Sequence, residues 1–157
     1  MKIIIDADGC PVVKKTIEIA KKYQIEVWVI SDTAHEFNIP FVNCLTVDAG
    51  KDAVDFEVIR HLKSGDLVVT QDYGLAAMVL TKSAHAISQN GLFYTNENID
   101  ELLFSRHLSQ KMRQAKTRVK GPRKRLKSDD QIYEKKLCDW LTQLVNIEDK
   151  ECLVLSL

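Results

Sequence analysis

Short apolar runs that stop at an acid constrain this chain more than any other feature. Residues 2–5 read Lys-Ile-Ile-Ile and meet Asp6; residues 67–70 read Leu-Val-Val-Thr and are followed by Gln71 and Asp72. An unbroken apolar run of this length marks a buried strand. Two further strands are predicted at residues 25–30 and 41–47, and a short fifth at 86–88, before a turn at Gly91. Between them lie segments with helical spacing. Pro11 opens the first, with Val12, Val13, Ile17, Ile19 and Ala20 behind it, since proline is tolerated in a first turn. Residues 51–62 carry Val54, Val58, Ile59 and Leu62 and stop at Ser64-Gly65. Residues 75–80 form a third helix and 98–118 a long fourth, broken by Gly121-Pro122. A last helix spans 132–144, with Ile132, Leu137, Leu141 and Leu144 on or near one stripe. Strands alternating with helices predict an α/β fold on a mainly parallel sheet. Such sheets bind ligands beyond the carboxyl ends of their strands.

At 157 residues, 45% hydrophobic and 28% charged, the chain supports one domain with its own core. That domain is expected over residues 1–144, with 145–157 as a C-terminal tail that adds an edge strand or frays. No apolar segment approaches the length of a membrane span, and Asp6 comes too early for a signal peptide. The four cysteines (Cys10, Cys44, Cys138, Cys152) show no zinc spacing. They read as reduced thiols of a cytoplasmic protein. Net charge is zero, which excludes a uniformly basic nucleic-acid binder. The charge is nevertheless segregated: residues 106–127 hold ten Lys or Arg and no acid, within an otherwise acidic chain. A run of this kind is either a solvated helix face or a surface that releases counterions from a phosphate backbone.

The acids fall where the strands end. The first strand runs into Asp6-Ala7-Asp8-Gly9 and the fourth into Thr70-Gln71-Asp72. Between them, Asp52 and Asp55 are three apart, on one helix face near its N-terminal turn. Asp55 lies close to the Ile59 and Leu62 stripe, so it is the one expected to point toward the sheet. Five carboxylates converging at one end of a sheet repel one another, and a site of that kind usually holds a cation. Oxygen-only ligands suit Mg²⁺ or Mn²⁺ rather than zinc. Such ions bind phosphates and activate water for in-line attack. Each acid also has a plainer reading. An Asp after a strand is often a helix N-cap, as Asp72 before Gly74-Leu75 suggests, and acids in a first turn suit the helix dipole. These plainer readings do not require all five to share one end of the sheet.

Ile3-Ile4-Ile5-Asp6-Ala7-Asp8-Gly9-Cys10-Pro11-Val12 resembles the opening motif of the bacterial YaiI/YqxD-type family, which is grouped with PIN-like nuclease domains. Gly50-Lys51-Asp52-Ala53-Val54-Asp55 resembles its second motif. Thr70-Gln71-Asp72-Tyr73-Gly74-Leu75-Ala76-Ala77 resembles its third, and the Thr-x-Asp-x-x-Leu signature of PIN domains at large. Gly121-Pro122 followed by Asp129 resembles its C-terminal motif. The resemblance implies a PIN-like three-layer α/β/α sandwich with a divalent-metal site at Asp6, Asp8, Asp55 and Asp72, and with Asp52 as a weaker member. Many PIN nucleases carry Glu as the middle acid, where this chain offers Asp52 and Asp55.

Three functions compete. The first is a Mg²⁺- or Mn²⁺-dependent nuclease, with RNA favoured over DNA by the resemblance. Asp6, Asp8, Asp55 and Asp72 would be catalytic, and Ser31, Lys51 and Thr70 would contact substrate at the cleft. Arg113, Lys116, Arg118, Lys120, Arg123, Lys124 and Arg125 would hold the strand by its phosphates. The second is a phosphatase of the haloacid dehalogenase type, whose opening also reads apolar strand, Asp-x-Asp-Gly. Asp6 would be its nucleophile and Asp8 its general acid. Its objection is that Asp72 has no second Asp three to five residues on. The third is a nucleic-acid-binding module without catalysis. Cys10 is expected as a buried thiol, Trp28 and Trp140 as core, and His35, His61, His85 and His107, which share no ligand spacing, as non-catalytic.

Overall fold

The computed structural model describes residues 1–33, 37–48, 50, 52–114 and 123–155, with side chains of the last helix described as far as residue 146. Among these residues the strands are β1 (Lys2–Asp6), β2 (Glu26–Asp32), β3 (Asn43–Val47), β4 (Leu67–Val69), β5 (His85–Ile87) and β6 (Phe93–Tyr94). The helices are α1 (Val13–Lys22), α2 (Ala53–His61), α3 (Tyr73–Thr81), α4 (Ile99–Gln114) and α5 (Lys127–Leu155). The sheet order is β3-β2-β1-β4-β5-β6. Strands β1 to β5 are parallel, and β6 turns back antiparallel to β5.

The isoleucine run explains the layering. Ile3, Ile4 and Ile5 are wholly buried, and successive side chains of a strand point to opposite faces. Ile3 and Ile5, with Val27, Val29, Leu67, Val69 and Ile87, pack against Val13, Ile17 and Ala20 of α1 and Tyr133, Leu137 and Leu141 of α5. Ile4, with Ile30, Val68 and Ala86, meets Val54 and Val58 of α2, Leu75, Ala76 and Val79 of α3, and Ile99 of α4. Two helical layers therefore cover a sheet that is apolar on both faces, as a parallel sheet requires. Each fully buried Ile contributes about 2–3 kcal/mol. Thr16 Oγ1 and Tyr133 Oη share a hydrogen bond of 2.7 Å that ties α1 to α5 inside this core.

From β1 the chain steps outward to β2 and β3, then returns across the sheet to β4 on the other side of β1. The crevice beyond the carboxyl ends of β1 and β4 is thus a topological switch point. At the opposite end the same two strands are fastened by charge. The Asp66 carboxylate accepts the backbone N–H groups of Lys2 and Lys63, at 2.9 and 2.8 Å, and pairs with Lys2 Nζ at 2.9 Å.

The predicted elements are recovered with shifted ends. Helix α5 begins at Lys127 rather than 132 and continues to Leu155, through the predicted boundary at 144, so residues 151–155 are helical and not an edge strand. The early start has a local cause. Asp129 accepts the N–H of Leu126 at 2.8 Å, the backward arm of a capping box. A polar first turn gives no apolar period to read. Strand β6, two residues long, was also silent in the sequence for want of length. Helix α4 is described to Gln114. The remainder of the predicted 98–118 helix, and the Gly121-Pro122 break, lie outside the described residues. Cys10, Cys44 and Cys138 are free thiols. Among the described residues no helix is long and apolar enough to cross a membrane.

Asp66→Ala is expected to lower the unfolding free energy by about 3 kcal/mol, because it strands a half-buried ammonium and two N–H groups. Urea denaturation of the two proteins measures this directly.

Candidate metal centre in an acidic cleft

The parity that builds the core also aims the acids. Asp6 follows Ile4 by two residues and Asp32 follows Ile30 by two, so both emerge on the α2–α3 face at the carboxyl end of the sheet. Ser31 has the parity of Val27 and Val29 and is buried inside β2. It therefore does not reach the cleft that its sequence position suggests. The cleft itself has a volume of about 350 Å³ and is lined by Asp6, Asp8, Asp32, Asp52, Asp55 and Asp72, with Gln71 among them.

Asp6, Asp8 and Asp72 are held by identifiable contacts. After Asp6 the chain makes a turn closed by Cys10 N–H to Ala7 O at 3.1 Å. Gly9 sits at φ +67, a conformation that favours glycine. Asp8, in that turn, accepts the N–H of Asp32 through Oδ1 at 3.1 Å. Thr70 is buried, and its hydroxyl links two acids: it donates to Asp6 Oδ2 at 2.7 Å and accepts the N–H of Asp72 at 3.0 Å. Thr70 thus lies behind the two acids and outside the cleft lining. Asp72 caps α3, with Oδ1 accepting from Gly74 N at 2.6 Å and Leu75 N at 3.2 Å. A Cβ on Gly74 would stand 3.0 Å from that oxygen, which explains the glycine two residues after the acid. The plainer reading of Asp72 is therefore true of one of its oxygens. The other, Oδ2, faces Arg106 Nη1 at 3.2 Å. Asp55 projects from the first turn of α2. Asp52, at the left-handed N-cap of that helix (φ 63), makes no side-chain cap bond and is exposed.

Crowding shows in the acidities. Burial, followed by the charges of Asp72, Asp6 and Asp52, pushes the Asp55 carboxyl up to about 6. Burial also raises Asp6; the Thr70 bond opposes it, and Asp8 and Asp72 add to it. Asp72 moves the other way. Burial disfavours its charge, but the Leu75 and Gly74 N–H groups and Arg106 outweigh burial and hold it below the usual value. Burial pushes the neighbouring Cys10 thiol up to about 11, so it is an inert thiol, as the sequence suggested.

In donor chemistry the cleft fits a hard divalent cation, since it offers carboxylate oxygens and no sulfur or imidazole. In spacing it is open. Among the described residues, no group of three or more His, Cys, Asp or Glu side chains is drawn together as a bound ion requires. Two acids or polar groups escaped the sequence reading, Asp32 and Gln71. The strand parity that places Asp6 would have found Asp32 as well. Gln71 donates through Nε2 to Gly9 O at 3.3 Å and closes the floor between the β1 and β4 loops.

The basic segment divides in two. Arg106, which the sequence reading did not single out, reaches the cleft, and Arg113 lines a groove beside it with Tyr73, Ser105, Ser109 and Gln110. Arg123 and Arg125 are engaged within the fold. Arg123 grips Asp129 through two bonds. Arg125 binds Asp130 at 2.7 Å, Asn90 Oδ1 at 3.0 Å and Gln89 O at 2.8 Å, pinning the start of α5 to the β5–β6 loop. Lys124 is exposed. Lys51, Lys116, Arg118, Lys120 and His35 lie outside the described residues. His61 stacks on Trp28, and His85 packs edge-on against Trp140, so both tryptophans serve packing.

Two expectations follow. A raised folded-state pKa means that ionised Asp55 opposes folding above about pH 6; the opposition fades as pH falls through 6 and is gone below the ordinary value of 3.8. Asp55→Asn should therefore raise thermal stability near neutral pH, by about 1 kcal/mol after solvent screening, and flatten the gain that wild type shows on mild acidification. Asp72→Ala should cost about 1 kcal/mol through the lost cap, whereas Asp72→Asn, itself a good cap, should cost a few tenths. Calorimetric melts across pH measure both.

The profile of a family described as the uncharacterised YaiI/YqxD family matches residues 4–143. A UPF0178 protein of Exiguobacterium sibiricum is 50% identical over 143 residues, covering 91% of this chain and 98% of the relative. One from Alkaliphilus oremlandii is 48% identical over 143 residues, covering 91% and 92%. One from Natranaerobius thermophilus is 40% identical over 144 residues, covering 92% and 98%. No solved structure matches the chain.

Proposed function

The chain belongs to the YaiI/YqxD family, and we propose that its acidic cleft is the centre of a divalent-metal-dependent nuclease, acting on RNA in preference to DNA. The observation that carries this reading is the convergence of Asp6, Asp8, Asp32, Asp52, Asp55 and Asp72 on one cleft at the switch point of the sheet. Burial and mutual repulsion hold Asp55 at about 6, and a cation would relieve that repulsion. Mg²⁺ or Mn²⁺ bound there would supply Lewis-acid activation of a phosphodiester and of the attacking water.

The chain's own residues divide the remaining work. Asp6, fixed by Thr70, and Asp72, fixed by the α3 cap, are the rigid oxygen donors. Asp8 and Asp55 complete the set from the β1 loop and from α2, with Asp52 at the rim. Arg106 and Arg113 bring positive charge to the rim where the phosphodiester must approach. The RNA preference follows the resemblance to PIN-like domains.

Mn²⁺ and Mg²⁺ titration with thermal-shift readout, paired with cleavage of mixed single-stranded RNA and DNA, tests this reading. Wild type should be stabilised by metal and cleave RNA in its presence. Asp6→Asn should lose both while remaining folded. Metal stabilisation and cleavage that persist together in Asp6→Asn, Asp55→Asn and Asp72→Asn would refute the assignment.

A further inference from the structure

The inner face of α4 changes character along its length. Ile99, Leu102 and Leu103 pack onto the core beside α3. One turn further on, the same face presents Arg106, Ser109, Gln110 and Arg113, which with Tyr73 and Ser105 line an open groove of about 350 Å³. A helix that served only to cover the sheet would carry apolar residues here. The groove begins where the acidic cleft ends, because Asp72 and Tyr73 are chain neighbours. Arg106 joins the two: its guanidinium is 3.2 Å from Asp72 Oδ2 and 5.9 Å above the Tyr73 ring. The pair is reachable from solvent, with the two side chains 44% and 38% exposed.

We propose that Arg106 and a divalent cation compete for Asp72 Oδ2, and that Arg106, once displaced, binds a backbone phosphate of a single strand of nucleic acid lying along the α4 groove. This rests on the cation site proposed above. Asp72 Oδ1 is committed to two N–H groups of α3, which leaves Oδ2, now paired with Arg106, as the arm a cation would take. A cation and a guanidinium cannot both sit close to that arm without strong mutual repulsion. The released guanidinium has a phosphate-matched fork of donors. Ser105, Ser109 and Gln110 add neutral donors suited to phosphate and sugar oxygens, Arg113 adds a second charge, and Tyr73 adds a ring on which a base stacks. The arrangement couples the two ligands: cation binding frees the phosphate ligand, so each tightens the other by the same factor.

Calorimetric titration of Ca²⁺, an oxygen-seeking probe, together with fluorescence anisotropy of labelled single-stranded RNA and DNA twelve-mers, tests the coupling. Gels at the end of each titration check that the strands are intact. Wild type should bind the strand about fivefold more tightly with saturating Ca²⁺. Arg106→Gln should bind Ca²⁺ more tightly than wild type and lose the coupling. Arg106→Lys, which keeps the charge without the fork, should retain wild-type Ca²⁺ affinity with weaker strand binding. Arg113→Gln should leave Ca²⁺ affinity unchanged and reduce the salt slope of strand binding by about 0.7. Ca²⁺ and strand binding with unchanged Ca²⁺ affinity and intact coupling in Arg106→Gln would overturn the competition and leave the cation site standing. Absence of Ca²⁺ binding by wild type would overturn both.

Discussion

Repulsion among carboxylates gathered at the switch point of the sheet is the constraint to which the surrounding structure answers. Six aspartates line that cleft, and the local devices nearby place or balance one of them. Thr70 holds Asp6, the α3 amides hold Asp72, the Asp32 N–H holds Asp8, and Arg106 faces Asp72 from α4. A fold tolerates this only when its core is well in surplus. The buried centres of β1 and β4, Ile3 to Ile5 and Leu67 to Val69, provide that surplus directly beneath the crowded end. At the far end the Lys2–Asp66 pair fastens the same two strands, so the parallel register that delivers Asp6 beside Thr70 is fixed at both ends.

Among its described residues, the concentrated basic segment has two settings rather than one. Its first turns belong to α4, where Arg106 and Arg113 turn toward the cleft and its flanking groove. Its last residues lead into α5. There Arg123 and Arg125 satisfy Asp129 and Asp130 and reach the loop after β5. Stacked through Thr16 and Tyr133 onto α1, α5 closes the second layer of the sandwich. A run of like charge in sequence therefore separates, among its described residues, into a part that turns toward the acidic cleft and a part bonded within the fold.

The layering and the main acids were legible in the sequence because both follow from strand parity and from where an apolar run stops. The Ile3-Ile4-Ile5 run gave a strand buried on both faces, and its end gave Asp6. The same logic ends β2 at Ile30, two residues short. The strand continues to Asp32, and Ser31, one residue before it, faces the other side of the sheet. Arg106 escaped because its role depends on where α4 crosses α3, a tertiary fact with no local signature. Arg125 reads as a phosphate ligand in the sequence because nothing there shows that Asn90 and the Gln89 carbonyl lie beside it. The start of α5 is hidden in the sequence because its first turn is polar and capped by Asp129.

The central claim is that the crowded aspartates form a cation site, and a Mn²⁺ titration followed by electron paramagnetic resonance tests it most directly. The signal of free aqueous Mn²⁺ should be depleted by wild-type protein with saturable stoichiometry. Asp6→Asn, folded but lacking one rigid donor, should leave that signal largely intact. Equal depletion by both proteins, or none by either, would contradict the account and return the aspartates to the role of caps and structural pairs.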